Sequence, residues 1–427
     1  MKKLLLAILL FAINSIPMLS QDTWNQILAN PFNRAHDTLD YDIRISPAST
    51  LLDASSSYVI KEITDRQDTT RVLNWANLLA ETKDKNGVFV QYAFSILNTE
   101  IYTKGLVFNV GFSHRSEAYA NFDGPGVTFV IGGNAGFDAQ TELAPDIEYN
   151  SWYQLNLGAK KYFNNSFLGL NLKLVDGVEH FSFDGSYKIN ADDIFNEIQV
   201  ERNVILQSTS LFRYKNIDDI DFQPSRPFTD QIGFDNIGFL FDIYGGTKVG
   251  KHIFNLAITD IGFIKWEQEG RTFEYESKGN ATYSGIDLSE ALSNEFEFNL
   301  QDSIENLIGL EQTDTRSYNT SLLTKINARY QYDFQDDLSF GINNFFAIDG
   351  TYGYFRTSLF ANKAITNWLD LGLVYSFDRY SAANIGGSLQ IQYEKFSLGL
   401  SSQNLLSLFD PYGFRLNNIN IATQIKI

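Results

Sequence analysis

The feature that most constrains this chain is a two-residue rhythm that recurs along most of its length. Its last ten residues, NINIATQIKI (418–427), place Ile419, Ile421, Thr423, Ile425 and Ile427 on one face of a strand. Asn418, Asn420, Ala422, Gln424 and Lys426 fall on the other. In YQLNLGAK, Tyr153, Leu155, Leu157 and Ala159 alternate with Gln154, Asn156, Gly158 and Lys160; in LGLNLKL, Leu168, Leu170, Leu172 and Leu174 alternate with Gly169, Asn171 and Lys173. Further on, Ile326, Ala328, Tyr330 and Tyr332 oppose Lys325, Asn327, Arg329 and Gln331, and Leu369, Leu371, Leu373, Tyr375 and Phe377 oppose Asp370, Gly372 and Ser376. Successive side chains of a strand point to opposite sides. Segments of about ten residues with one apolar and one polar face are the signature of a transmembrane β-barrel.

A large soluble antiparallel sandwich also alternates, but other features weigh against it. Aromatics gather near strand ends (Trp152, Tyr162, Phe163, Trp266, Trp368, Phe377), as interfacial girdles require. Residues 1–20, MKKLLLAILLFAINSIPMLS, carry Lys2 and Lys3 ahead of an apolar run from Leu4 to Ile13, the layout of a signal peptide cleaved near Ser20. That run of about ten residues is too short to cross a bilayer of ~30 Å as a helix, and no later apolar run reaches the required length. The chain of 427 residues has no cysteine, so disulfides cannot hold an exported protein of this size together. With 35 Phe and 22 Tyr but only 20% charged residues, the composition suits two-faced strands. The formal charge of −18 becomes −20 once Lys2 and Lys3 leave with the signal peptide, which excludes a nucleic-acid partner that needs a basic surface.

The expected architecture is all-β: a transmembrane antiparallel β-barrel of about 14 strands (range 12–16 by the same alternation). A leader or plug over 21–38 precedes the barrel over 39–427. Tight turns are expected at Asn164-Asn165, 335–337, 365–367 and Glu394-Lys395, on the periplasmic side, and longer loops at 214–235, 266–319, 347–352, 378–383 and 405–417. Segments 126–137 and 181–190 are weak and either join the wall or leave it. Helical spacing occurs near 69–83 and 286–310. These helices would rest on loops or form a lid.

A search for chemistry is mostly negative. His36, His114, His180 and His252 are scattered without metal-ligand spacing, and no G-x-S-x-G elbow or thiolate exists. Ser113 and His114 are strand neighbours and point apart. The glycine-rich DGPGV (123–127) and VIGGNAG (130–136) read as turns or kinks of a curved sheet. Acidic NIDDID (216–221) lacks the glycine and distal glutamate of a calcium loop. No catalytic residue, metal site or cofactor is expected. The expected lumen lining is Lys173, Lys325, Asn327, Arg329, Gln331, Arg356 and Asp370; some of its cations could meet a carboxylate head group. Asn30, Pro31 and Phe32 are the candidates for a plug.

ITDIGFIKWEQEG (258–270) resembles the "D-[LI]-G-F-I-x-W" strand end of a Bacteroidetes outer-membrane family of unknown function. Gly285, Ile286, Asp287 and Leu288 resemble its "GIDL" insert, and Asn30-Pro31 with ISPAS (45–49) its leader. The resemblance implies an outer-membrane barrel similar to long-chain fatty-acid transporter-type barrels and to barrel partners of gliding and type IX secretion machinery. Two function classes follow: a passage for small apolar or amphipathic molecules, or a non-transporting scaffold of a surface complex. The expected partners are outer-membrane lipid, a small lipophilic ligand and a protein at the surface.

Overall fold

The computed structural model describes residues 43–427 apart from 68–69, 133–139, 193–196, 217–218, 223–232, 284–304, 314–315 and 351. The signal segment 1–20, the leader 21–38 with Asn30, Pro31 and Phe32, and most of the insert near 286–310 lie outside the described residues. The chain forms a closed, 14-stranded antiparallel barrel. Its wall strands are β1 (Ile43–Ser46 continued by Ser49–Ser56), β2 (Lys85–Thr103), β3 (Leu106–Asp123), β4 (Asp146–Phe163), β5 (Ser166–Asp192), β6 (Ile237–Val249) and β7 (His252–Trp266). They continue with β8 (Thr324–Gln335), β9 (Leu338–Asp349), β10 (Tyr352–Thr366), β11 (Leu369–Asp378), β12 (Asn384–Tyr393), β13 (Phe396–Ser402) and β14 (Leu416–Lys426). β14 pairs with β13 on one side and β1 on the other, and β1 pairs with β2, which closes the ring.

The two-residue rhythm maps onto this wall. On β5, Leu168, Leu170 and Leu172 are each more than half exposed while Asn171 and Lys173 between them are buried. Leu155, Leu157, Phe239, Leu256, Leu359 and Leu373 continue the outer apolar belt round the barrel. A lipid-facing belt over a polar interior is the arrangement a bilayer demands, because backbone groups pair between strands and the exposed side chains need no water. Two-residue turns close one end. Asn164 and Lys104 take the left-handed conformation (φ 47° and 45°) that such turns require.

At the opposite end the wall rises beyond the belt. The outer part of β5 pairs with Glu197–Thr209, which pairs in turn with Thr272–Tyr283. A small hairpin, Phe212–Tyr214 with Ile220–Phe222, buries Phe212 and Tyr214 against Phe181, Phe273 and Tyr275. Segment 181–190 thus belongs to this extension of β5.

Four local expectations are corrected. Asp123 caps a helix, Gly124–Gly132, by accepting from the Gly126 N–H at 3.0 Å, so DGPGV opens a helix and does not kink a sheet. The helical stretch near 69–83 shortens to Trp75–Glu81, capped by Asn74, because Thr70–Leu73 pair with Thr64–Gln67 as strands. Asp349 and Tyr352 are register partners, so Ala347–Asp349 and Tyr352 belong to paired wall strands and not to a long loop. Trp152 and Trp266 point inward and pack with Val175, Leu240 and Ile264, and Tyr162 leans on Phe167; Phe163 and Trp368 do face outward.

Candidate lumen closure and wall break

Three sets of side chains close the interior, and one place in the wall lacks its ladder. The first set is aromatic. Phe89 on β2 stacks on Tyr354 of β10, ring centres 4.2 Å apart, and Tyr119 of β3 stacks on Tyr352 at 4.0 Å. Phe345, Ala347 and Leu323 complete the buried cluster. β2 and β9 lie half-way round the ring of 14 from each other, so this stack is a septum across the lumen. Offset aromatic pairs of this kind contribute ~0.5–1.5 kcal/mol beyond the area they bury.

The second set centres on Asp260 in the ITDIGF stretch. Outward residues of β7 run Phe254, Leu256, Ile258 and then skip to Ile261 and Phe263. The slip is a bulge against β6, in which Asp260 adopts φ 61° and turns its carboxylate inward. Gly262 must stay glycine, since its φ is 153° and a methyl there would run into the Phe239 carbonyl oxygen. The fully buried Asp260 meets Lys173 at 2.6 Å, Lys325 at 2.8 Å and Arg115 at 3.2 Å. Lys173 also reaches Asp242 and Lys325 also reaches Glu117, both at 2.6 Å. Three cations balance three carboxylates drawn from β3, β5, β6, β7 and β8. Asp242 Oδ1 accepts the Asp260 backbone N–H, and Glu117 accepts the Leu323 N–H where β8 departs from its neighbour's ladder.

The third set joins β1 to β10. Arg356 donates twice to Asp53, each bond 2.8 Å, in the bidentate fork that fixes orientation as well as distance. Gln91 holds the same carboxylate, and Ser55 donates to Asp378 at the end of β11.

Lys173, Lys325, Asn327, Arg329, Gln331 and Arg356 are all buried on inward positions, and Asp370 is half-buried. Lys173, Lys325 and Arg356 are held by carboxylates, which corrects the idea that they wait for an anionic head group. Arg329 lies over the Phe360 ring at 4.3 Å and donates to Gln331, which donates to Asp333. Sequence reasoning named these cations without their counter-charges, Asp53, Glu117, Asp242 and Asp260. The skipped alternation at 258–261 was the available signal for the last.

The wall break lies between β12 and β14. β13 ends at Ser402, which pairs with Gly387. Above that level Asn384 and Ile385 of β12 still pair with β11, and Leu416–Asn418 of β14 still pair with β1, with no strand between them. Gln403 and Asn404 cross the gap. Gln403 accepts from Ser358 on the inner side at 2.8 Å and donates its own N–H to Asn418, while Asn404 donates to the Leu416 carbonyl at 3.1 Å. The chain then emerges onto the outer surface, where Leu405 lies against Gly387, and runs through a short 3-10 helix, Leu405–Leu408. Residues on either side of 68–69 clasp this cover from above: the Lys61 N–H donates to the Tyr412 carbonyl, Lys61 pairs with Asp410 at 2.9 Å, and Arg71 lies over the Tyr412 ring. The Lys61 ammonium holds the Asp410 carboxyl below its usual range. Below the break, the inward faces of β11–β14 (Gly372, Ser388, Gln390, Ser401, Gln424) are half-buried and polar, a vestibule toward the turn end.

A closed barrel with an apolar outer belt and polar side chains on its inward strand positions defines an integral β-barrel of the outer-membrane type. The chain belongs to a family of unknown function (DUF5723), whose profile matches residues 47–402. No curated protein matches it. Among solved structures it is similar to a Pseudomonas aeruginosa FadL homologue, at 9% identity and a TM-score of 0.38, covering 91% of this chain and 90% of that one. It is also similar to the Ralstonia pickettii toluene transporter TbuX (8%, TM-score 0.37, 91% and 90% covered). A third likeness is to the translocator domain of the autotransporter NalP from Neisseria meningitidis (7%, TM-score 0.33, 94% and 95% covered).

Proposed function

We propose that this outer-membrane barrel passes small amphipathic molecules through its side wall, between the lipid around β12–β14 and the polar vestibule at the turn end. One observation carries the reading: the ladder is missing between β12 and β14, and polar side chains with single hydrogen bonds fill the gap. Each such bond is worth ~0.5–1.5 kcal/mol, far less than an intact ladder. The septum and the two ion-pair sets block a straight axial route, which favours the wall over the lumen. A polar vestibule suits a head group and the lipid side suits a tail.

Two further elements belong to this proposal. Residues 1–20 direct export and are removed near Ser20, and the leader 21–38, with Asn30, Pro31 and Phe32, docks into the vestibule from the turn end, where β1 begins. Mass spectrometry of the mature N-terminus and uptake by a chain lacking 21–38 test these points. The main test exploits the absence of cysteine. Lys61→Cys and Asp410→Cys, joined by a short thiol-cleavable cross-linker, fasten the cover. Uptake of a fluorescent fatty-acid analogue into vesicles holding the barrel should fall several-fold and return on reduction. Flux unaffected by the cross-link would refute passage at this site, and no flux in any form, with a protein partner recovered instead, would favour the scaffold reading.

A further inference from the structure

Residues 405–409 present an unusual surface for a loop at this end of a barrel. Leu405, Leu406 and Leu408 are exposed, and Phe409 is 87% exposed. Loops that leave a barrel ordinarily enter water, where four such side chains in five positions would be costly at ~25 cal/mol per Å². Their level in the wall explains them. Leu405 packs against Gly387, and Gly387 pairs with Leu373, which is itself exposed within the outer apolar belt. Ile385, one outward step along β12, is 59% exposed and continues the same surface. The 3-10 helix therefore does not stand above the belt but lies on it, outside the wall. Gly386 and Gly387 make this possible. A methyl on Gly386 would meet the Ser402 carbonyl, and one on Gly387 would touch Leu405.

We infer that Leu405–Phe409 is a lipid-binding surface that inserts among the acyl chains of the outer leaflet, so that lipid seats the cover over the wall break. Continuity with the belt identifies the occupant. The exposed side chains of the ridge are all apolar, Ser407 being buried, whereas the charged contacts of this loop, at Asp410 and Arg415, lie on the side facing Lys61 and Glu81. Lipid thus presses the cover from outside and the clasp holds it from above. The inference rests on the geometry of the break and is independent of whether molecules cross it.

The test uses Phe409→Cys and, at a second site, Leu406→Cys, each carrying an environment-sensitive fluorophore in the full mature chain. The proteins are placed in phosphatidylcholine vesicles containing nitroxide-labelled lipid. Leu373→Cys is the reference for lipid and Lys215→Cys, on the outer hairpin, the reference for water. Positions 406 and 409 should be quenched by nitroxide lipid as strongly as 373 and at least twofold more than 215, with the order reversed for aqueous iodide. Iodide quenching at the level of 215 would overturn the inference. So would protection from both quenchers, which would place a protein or second copy over the ridge. A barrel that shows lipid quenching but no flux would sink the passage reading while leaving this one standing.

Discussion

The two halves of the barrel are built to different standards. From β3 to β9 every wall strand is 12 residues or longer, and three cations and three carboxylates, Asp260 at their centre, cross-link the interior. From β11 to β14 they shorten to 10, 10, 7 and 11 residues, and the inward positions toward the turn end include Gly372, Ser388, Gln390, Ser401 and Gln424. One half is held by a network of buried charges. The other has a place where the ladder stops and single neutral hydrogen bonds span the gap. A barrel needs rigidity to keep its shape in lipid, and any rearrangement that admits a molecule has to come from the less committed half. On the proposed reading, Asp260 belongs to the frame and Gln403 and Asn404 to the part that would move.

The contrast can be broken at its strong end first. Asp260→Asn leaves the buried Lys173, Lys325 and Arg115 one negative charge short, and losing one partner of a buried ion pair costs ~3–5 kcal/mol. The urea midpoint in vesicles should fall accordingly; a shift as small as that of Asn404→Ala would show the two halves to be equivalent. Leu172→Arg puts a charge on the lipid face of the rigid half and should cost ~2–4 kcal/mol if it lies near mid-membrane, in the same assay. Gln403→Ala removes the bond to Ser358, so stability should drop by only ~0.5–1.5 kcal/mol while uptake of the amphiphile rises; unchanged uptake would remove Gln403 from the cover. The smallest effect concerns pH. Because the folded-state carboxyl of Asp410 is held below its unfolded value, the Lys61–Asp410 contact contributes fully above the ordinary aspartate range and is lost as pH falls through the depressed value. Labels on the cover should therefore become more mobile only in strong acid. The Asp410→Asn chain should show the looser state at every pH, and the contact should weaken with salt as exposed pairs do.

How much of this was legible in the residues follows from what alternation can and cannot encode. Period two places a side chain on one face of a strand, so the facing of Leu168–Leu174, the inward run Lys325–Gln331 and the number of strands could be read directly. It carries no information about which inward residues meet across a lumen. Arg356 and Asp53 lie 303 residues apart, and nothing local announces their pairing. Aromatic residues near strand ends were ambiguous for the same reason: Trp152 and Trp368 look alike in sequence, yet one is buried in the interior and the other exposed. Glycine-rich DGPGV misled because Asp123 and Pro125 are also helix-start residues, and the cap decided the matter. The wall break left one trace, the shortness of the segment between Glu394-Lys395 and the loop at 405–417, which a ladder-by-ladder count would have exposed.

The seam that closes the ring has a consequence for how the molecule is made. Arg44 meets Lys426, and Ile43 and Ile427 exchange backbone hydrogen bonds, so the first and last described strands are neighbours. Contacts between such distant parts of a chain form late, because the entropy of closing a long loop is lost before the contact is gained. Until they form, β1 and β14 each offer a row of unsatisfied N–H and C=O groups, and hydrocarbon supplies nothing to satisfy them. Assembly strand by strand into bare lipid is therefore uphill at every step but the last. A partly built wall of this kind needs its two edges sheltered, by a folded precursor or by an insertion machine that lends an edge of its own, until Arg44 and Lys426 come into register.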